Sequence, residues 1–362
     1  MNQWPSWLPL RQNLQELSPY GAPQLPAEAV MNTNENPYPP SAELAKAIAD
    51  RISDVALTLN RYPDRDAVVL RTKLADFING LSKTRFTSSN VWAANGSNEI
   101  IQSLFMAFGG GAALGFTPSY SMHPLIAKVT QVQWLNGNRR EDFTLDIDSA
   151  IEQIQRDKPT LTFITTPNNP TGSAVTIEEI EKIAKSTSGL LIVDEAYAEF
   201  SDEISAVTLI EKYPHVVVIR TMSKAFAFAG VRLGYLIADP AVIDAMFLVR
   251  LPYHLSALTQ AAAEVALDFK GELLGTVAQL RVDRDRVAAQ LSEMGLTVIP
   301  SASNFLLFTG FDMPSAQLWQ AMLDRGVLIR DVGLLGYLRV TIGNEAENTK
   351  FISTLSVCLG EK

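Results

Sequence analysis

The sequence predicts an α/β fold: a large domain on a mostly parallel central sheet, followed by a smaller α+β domain at the C-terminus. Three observations lead there. Apolar, β-branched segments, LTFITT (161–166), GLLIVDEAY (189–197) and HVVVIR (215–220), alternate with segments of helical period. Strands that are apolar on both faces belong in a parallel sheet covered by helices on each side. After Pro252 the pattern changes to two long helical segments (256–269 and 273–294) and then short strands, LTVIP, NFLLFTG, VLIRD and YLRVTIG. The expected organisation is an N-terminal arm (1–29), a large domain (30–250) and a small C-terminal domain (251–362).

Taken in order, the first forty residues carry Pro5, Pro9, Pro19, Pro23, Pro26, Pro37, Pro39 and Pro40, which rules out a long helix and predicts an arm laid over another surface. SAELAKAIADRI (41–52) has helical period with Ser41 as its N-cap, and DRDAVVLRTKLADFI (64–78) is a second amphipathic helix. VWAAN (91–95) reads as a strand, and NEIIQSLFMAF (98–108) as a helix ended by Gly109–Gly111. In TIEEIEKIAKS (176–186), Thr176 and Glu179 have the spacing of a capping box.

Composition narrows the function. The 362 residues are 47% hydrophobic with a net charge of −9 and no basic block, which argues against nucleic acid or an anionic membrane as partner. One cysteine, Cys358, excludes a disulfide framework, and the scattered His123, His215 and His254 predict no metal site. The opening MNQWPSWLPLRQ has no signal-peptide pattern, and no run approaches the about 18 apolar residues of a spanning helix, so a soluble cytoplasmic protein is expected.

Ligands of parallel α/β sheets bind beyond the carboxyl ends of the strands, so the residues that follow each strand carry the most information. After VWAAN comes Gly96-Ser97-Asn98-Glu99, a turn into a helix and a natural anion cradle. After LTFITT comes PNNPTG (167–172), after GLLIV come Asp194 and Tyr197, and after HVVVIR come Ser223, Lys224 and Arg232. Each has a bland explanation singly: a common turn, a rigid loop, a helix cap, a solvated lysine. Their occurrence at four successive strand ends is what singles them out.

Asn169-Pro170-Thr171-Gly172, Asp194-x-x-Tyr197 and Ser223-Lys224 with Arg232 resemble the signature of fold-type I aminotransferases, which use pyridoxal 5′-phosphate (PLP). LSPY (17–20), NTNENPYPP (32–40), RYPDRDAVVLR (61–71), PSYSMH (118–123), SNFLLF (303–308) and LRVTIG (338–343) extend the likeness to nearly the whole chain. They resemble most the branch of that family acting on histidinol phosphate. The resemblance implies that Lys224 is the amine that joins the cofactor aldehyde and later shuttles the Cα proton. Asp194 would pair with the pyridine nitrogen, while Tyr197 and Asn169 bond the ring oxygen. Ser97, Asn98, Ser223 and Arg232 would hold the cofactor phosphate, and Tyr120 would stack on the ring. Tyr62 would reach that phosphate from a neighbouring subunit, making the enzyme a homodimer with shared sites. Tyr20, Glu35, Asn36, Arg330 and Arg339 would line the substrate pocket, the two arginines and Tyr20 on the substrate phosphate.

The implied reaction exchanges an amino group between L-histidinol phosphate and 2-oxoglutarate, giving imidazole-acetol phosphate and L-glutamate, a step of histidine biosynthesis. The nearest alternative is an aromatic (phenylalanine) aminotransferase, and a PLP-dependent decarboxylase of a phosphorylated amino acid shares the cofactor residues. A nicotinamide-dependent oxidoreductase would need GxGxxG after a first strand, and the sequence has none there. Three features depart from the family pattern: His254, where many members carry asparagine; Phe228, where a smaller aliphatic residue is usual; and YGAPQLP (20–26) in the arm.

Overall fold

In the computed structural model, which describes residues 4–360, twelve strands are β1 (Ala29–Val30), β2 (Val91–Ala94), β3 (Ala113–Thr117), β4 (Trp134–Asn138), β5 (Leu161–Thr165), β6 (Leu190–Asp194), β7 (Val216–Thr221), β8 (Gly234–Ile237), β9 (Thr297–Ile299), β10 (Phe305–Thr309), β11 (Val327–Leu328) and β12 (Leu338–Thr341). Seven form one sheet in the order β2-β8-β7-β6-β5-β3-β4. Every adjacent pair from β7 to β4 is parallel, and β8 alone runs against its neighbours on both sides. The sheet is therefore mostly parallel.

The two-residue period of β7 divides the core. Val216 and Val218 pack on one face with Phe226, Tyr235 and Leu280, while Val217 and Ile219 pack on the other with Trp92, Ile100 and Phe105. A strand buried on both faces needs apolar residues along its length, which Val216–Ile219 supply before Arg220 and Thr221 end the strand. The covering helices start where their caps dictate. Thr176 and Glu179 close a capping box on Ile177–Ser186, and Asp146 accepts from Ser149 N at the head of Ile147–Asp157.

The C-terminal segment builds a three-stranded antiparallel sheet, β12-β10-β9, under the helices Lys270–Glu293 and Glu345–Leu359. The N-terminal part of the chain enters through this unit. β1 pairs in parallel with β11, Met31 N donates to Leu328 O at 2.8 Å, and Thr341 N donates to Met31 O at 2.9 Å. Residues 29–34 thus lie on the C-terminal sheet before the chain crosses to the large one. Ahead of them the arm makes one helical turn, Gln12–Gln15, and is fastened to the helix Met122–Thr130 by Arg11 Nη2 to Val129 O (2.8 Å) and Asn13 Nδ2 to Lys128 O (2.7 Å). Among the described residues, no helix is long and apolar enough to cross a membrane, and no cluster of side chains could hold a metal.

Candidate active site

A cavity of about 470 Å3 opens where the strand ends of the large sheet meet the small sheet, and Lys224 is one of its walls. The lysine lies three residues beyond β7, and its Nζ donates to Thr33 O at 2.8 Å. Burial, reinforced by Arg339 and Arg232 and opposed by Glu35, lowers its pKa to about 8. Near neutral pH roughly a tenth of such an amine is unprotonated, where an exposed lysine has almost none.

One end of the cavity is built for an anion. Gly96, at φ 82°, turns β2 into the helix Ser97–Phe108, and a Cβ on Gly96 would lie 2.6 Å from Arg232 Nη2. A Cβ on Gly234 would lie 2.5 Å from Ser97 N. Two glycines therefore let a guanidinium approach the N-terminus of a helix, where the free N–H groups already carry positive potential. Arg232 Nη1 lies 3.5 Å from Ser223 Oγ and 3.2 Å from Ala229 O, and no carboxylate neutralises it among the described residues. Hydroxyl, guanidinium and helix terminus converge, which is the donor set that a phosphate monoester requires.

The middle of the cavity is lined by a carboxylate and two tyrosines. Asp194 ends β6 with its carboxylate 3.0 Å from His123 Nε2, both side chains buried, and its other oxygen accepts from Ala196 N at 3.2 Å. Tyr120 donates to Asn98 Oδ1 at 3.1 Å, and burial raises its pKa. Tyr197, also raised by burial, accepts from Asn34 Nδ2 at 2.9 Å. A carboxylate, an aromatic ring and a phenol around one lysine, with an anion cradle beside them, fit the ring nitrogen, ring face, ring oxygen and phosphate of PLP.

The far end carries two arginines. Arg330 and Arg339 exchange both backbone N–H···O bonds at 2.9 Å across an antiparallel bridge, so their side chains project from one face, and both line the cavity. Arg339 donates to Asn32 O at 2.8 Å and to Asn169 Oδ1, while its Nε is buried without a partner. Burial lowers its pKa to about 10.

Tyr20, Glu35, Ser97, Asn98, Tyr120, Asn169, Asp194, Tyr197, Ser223, Lys224, Arg232, Arg330 and Arg339 all line this one cavity. Two expected residues do not. Asn36 is turned away, its amide donating to Thr276 Oγ1 at 3.0 Å and its oxygen accepting from Tyr38 N. Tyr62 is 79% exposed and stacks on Tyr253 at 4.4 Å, outside the cavity of its own chain. Phe228 is buried in the core, and His254 bonds Ala93 O at 2.9 Å and stacks on Trp92.

Residues that the sequence did not single out complete the site. His123 supports Asp194. Residues 32–34 fasten three others: Asn32 O holds Arg339, Thr33 O holds Lys224, and Asn34 holds Tyr197. Asn34 does so from a left-handed backbone (φ 57°), which asparagine tolerates better than most side chains, and Thr341 Oγ1 and Asn304 Nδ2 lock it there. The His123 signal was present in PSYSMH, one turn after Tyr120.

The model of the family "Aminotransferase class I and II" matches residues 29–355. The chain is 56% identical over 351 residues to a histidinol-phosphate aminotransferase of Mycolicibacterium smegmatis, covering 96% of this chain and 92% of that protein. It is equally similar, 56% over 348 residues, to one of Corynebacterium glutamicum strain R, covering 95% of each. Among solved structures, histidinol-phosphate aminotransferase from Sinorhizobium meliloti in complex with pyridoxal-5′-phosphate superposes with a TM-score of 0.85 at 23% identity, covering 97% of this chain and 98% of that one. A Thermus thermophilus aspartate aminotransferase variant gives 0.83 at 19% identity, covering 96% and 99%. Both structural likenesses concern the fold.

Proposed function

The chain belongs to the class I and II aminotransferases, and from that premise we propose that it transfers the amino group between L-histidinol phosphate and 2-oxoglutarate with PLP as cofactor, in histidine biosynthesis. The observation that carries the substrate is the Arg330–Arg339 pair. Two guanidinium groups projecting from one antiparallel bridge, with Tyr20 also lining the cavity, suit a dianionic phosphate better than the single carboxylate of phenylalanine. PLP, when bound, supplies the electron sink that lets a Cα proton leave as a weak acid.

The chain's own residues do the rest. Arg232, Ser97, Asn98 and Ser223 hold the cofactor phosphate between the two half-reactions. Asp194, kept in place by His123, holds a proton on the ring nitrogen, and Tyr197 and Asn169 bond the ring oxygen. Lys224 anchors the cofactor and, when displaced by substrate, takes the Cα proton and returns it at the carbon that exchanges the amino group. Its lowered pKa lets the amine accept that proton and still release it.

The active unit in this proposal is a homodimer. Apolar Leu57, Leu59, Val69, Leu248 and Leu251 are exposed on one chain, and their segments are joined by the Asp66–Arg250 ion pair and the Tyr62–Tyr253 stack. A second copy would cover this surface and let Tyr62 of one protomer complete the phosphate site of the other. The division into arm (1–29), large domain (30–250) and small domain (251–362), and a cytoplasmic location, belong to the same proposal.

Single-turnover mixing of the PLP form with histidinol phosphate or phenylalanine tests it. Histidinol phosphate should react far faster, and Arg339→Ala and Arg330→Ala should each cut that preference by about ten- to a hundredfold. Equal rates with the two substrates would instead make this an aromatic aminotransferase.

A further inference from the structure

The cavity collects cations, Lys224, Arg232, Arg330 and Arg339, yet it also contains Glu35. The other lining carboxylate, Asp194, is engaged by His123 and Ala196 N. Glu35 is exposed, its Oε2 accepts from Thr33 Oγ1 at 2.9 Å, and its Oε1 has no hydrogen-bond partner among the described residues. It is close enough to Lys224 to raise that amine's pKa against the effect of burial.

Such a carboxylate works against every anionic part of the ligands, whether cofactor phosphate, substrate phosphate or the two carboxylates of glutamate. Anion binding would be stronger without it. What it does suit is a hydrogen-bond donor or a cation on the end of a substrate that is not the phosphate. Thr33 fixes one oxygen and leaves the other to accept.

Building on the histidinol-phosphate reading above, we infer that Glu35 selects the imidazole ring of the substrate, its free oxygen accepting the ring N–H. An imidazole has an unperturbed pKa of about 6.5, so a carboxylate partner meets a donor at any pH near neutrality and a cation in its lower range. A phenyl ring brings no donor and would cover the carboxylate without pairing it, which costs far more than a missing apolar contact. One side chain thus accepts the imidazole substrate and rejects aromatic amino acids that the arginine pair alone would admit through their carboxylates.

Glu35→Gln and Glu35→Leu holoenzymes, at equal cofactor content, test this by their single-turnover kcat/KM for histidinol phosphate and for phenylalanine. The ratio of the two should fall about ten- to a hundredfold in Glu35→Leu and less in Glu35→Gln, which keeps an acceptor oxygen and loses the charge. A second readout needs no turnover: imidazole-acetol phosphate, which has no amino group to transfer to the PLP form, should bind that form more weakly by a similar factor. An unchanged ratio in both variants, or equal losses for both substrates, overturns the inference while the substrate reading stands. A wild-type enzyme with no preference for histidinol phosphate over phenylalanine overturns the substrate reading and this inference with it.

Discussion

Arg220 and Lys224 lie four residues apart at the end of β7, and the surroundings of the two cations are opposite. Arg220, 3% exposed, is matched from all sides: Nε and Nη2 meet Glu195 Oε2 at 3.0 and 2.8 Å, and Nη1 meets Glu199 Oε1 at 2.9 Å. Burial alone would lower its pKa, and the two carboxylates more than reverse that. Ser205 Oγ and Ala206 N complete Glu195 at 2.7 Å each. Lys224 has a single carbonyl, Thr33 O, as its hydrogen-bond partner; burial and two arginines outweigh the nearby Glu35, and its pKa falls. A cation with its charge matched locks two strand ends together; one left unmatched is available to a ligand. The same Asp194–Phe200 stretch serves both, with Asp194 and Tyr197 facing the cavity and Glu195 and Glu199 facing the ion cluster.

Exchanging the two roles by mutation is the sharpest way to break this contrast. Lys224→Ala should lower the transamination rate by about 10,000-fold or more, since it removes the amine proposed as both anchor and proton carrier, and stopped-flow turnover measures it. The same change should leave the urea midpoint of the cofactor-free protein near or above wild type, because an unmatched buried charge contributes no stability at pH 7. Arg220→Gln should do the reverse. With two buried carboxylates left unpaired, stability should fall by about 3–5 kcal/mol in urea melts, and acid should restore part of it by protonating Glu199, whose pKa burial already raises. A Lys224 variant that melts early, or an Arg220 variant that melts like wild type, would dissolve the distinction.

Smaller effects follow from pH. In the cofactor-free protein the Lys224 amine should react with an amine-directed reagent with a midpoint near pH 8, and Lys224→Ala should lack that phase. The folded-state value is below the ordinary 10.5, so between these values the unfolded chain holds the extra proton. Stability from this site should therefore rise with pH from about 8 to 10.5, by an increment that a Lys224→Ala comparison isolates.

How much of this was legible beforehand depended on whether the signal was local. Lys224, Asp194, Asn169 and the Gly96 turn stand directly after apolar strands, so a rule about strand ends finds them. Capping residues such as Thr176 with Glu179 act within four positions and were equally visible. β3, β4 and β8 escaped notice for physical reasons. Gly115 in β3 is needed because Trp134 packs where a Cβ would be, at 2.4 Å, and β4 is a polar edge strand, WLNGN. β8 is the antiparallel member, and its Gly234 leaves room for the anion turn. Residues 32–34 were missed because their partners are distant in the chain: Asn34 meets Thr341 and Tyr197, and Asn32 meets Arg339. Asn36, two positions on, faces elsewhere, its side chain held by Thr276 Oγ1 and Tyr38 N, partners that its sequence position does not reveal.

The chemistry assigned to Lys224 is tested most directly by reducing the PLP-loaded protein with borohydride and mapping the modified peptide by mass. The cofactor's mass is expected on the peptide containing Lys224 and on no other lysine, with loss of the yellow colour. Cofactor released intact, or found on a different lysine, would contradict it.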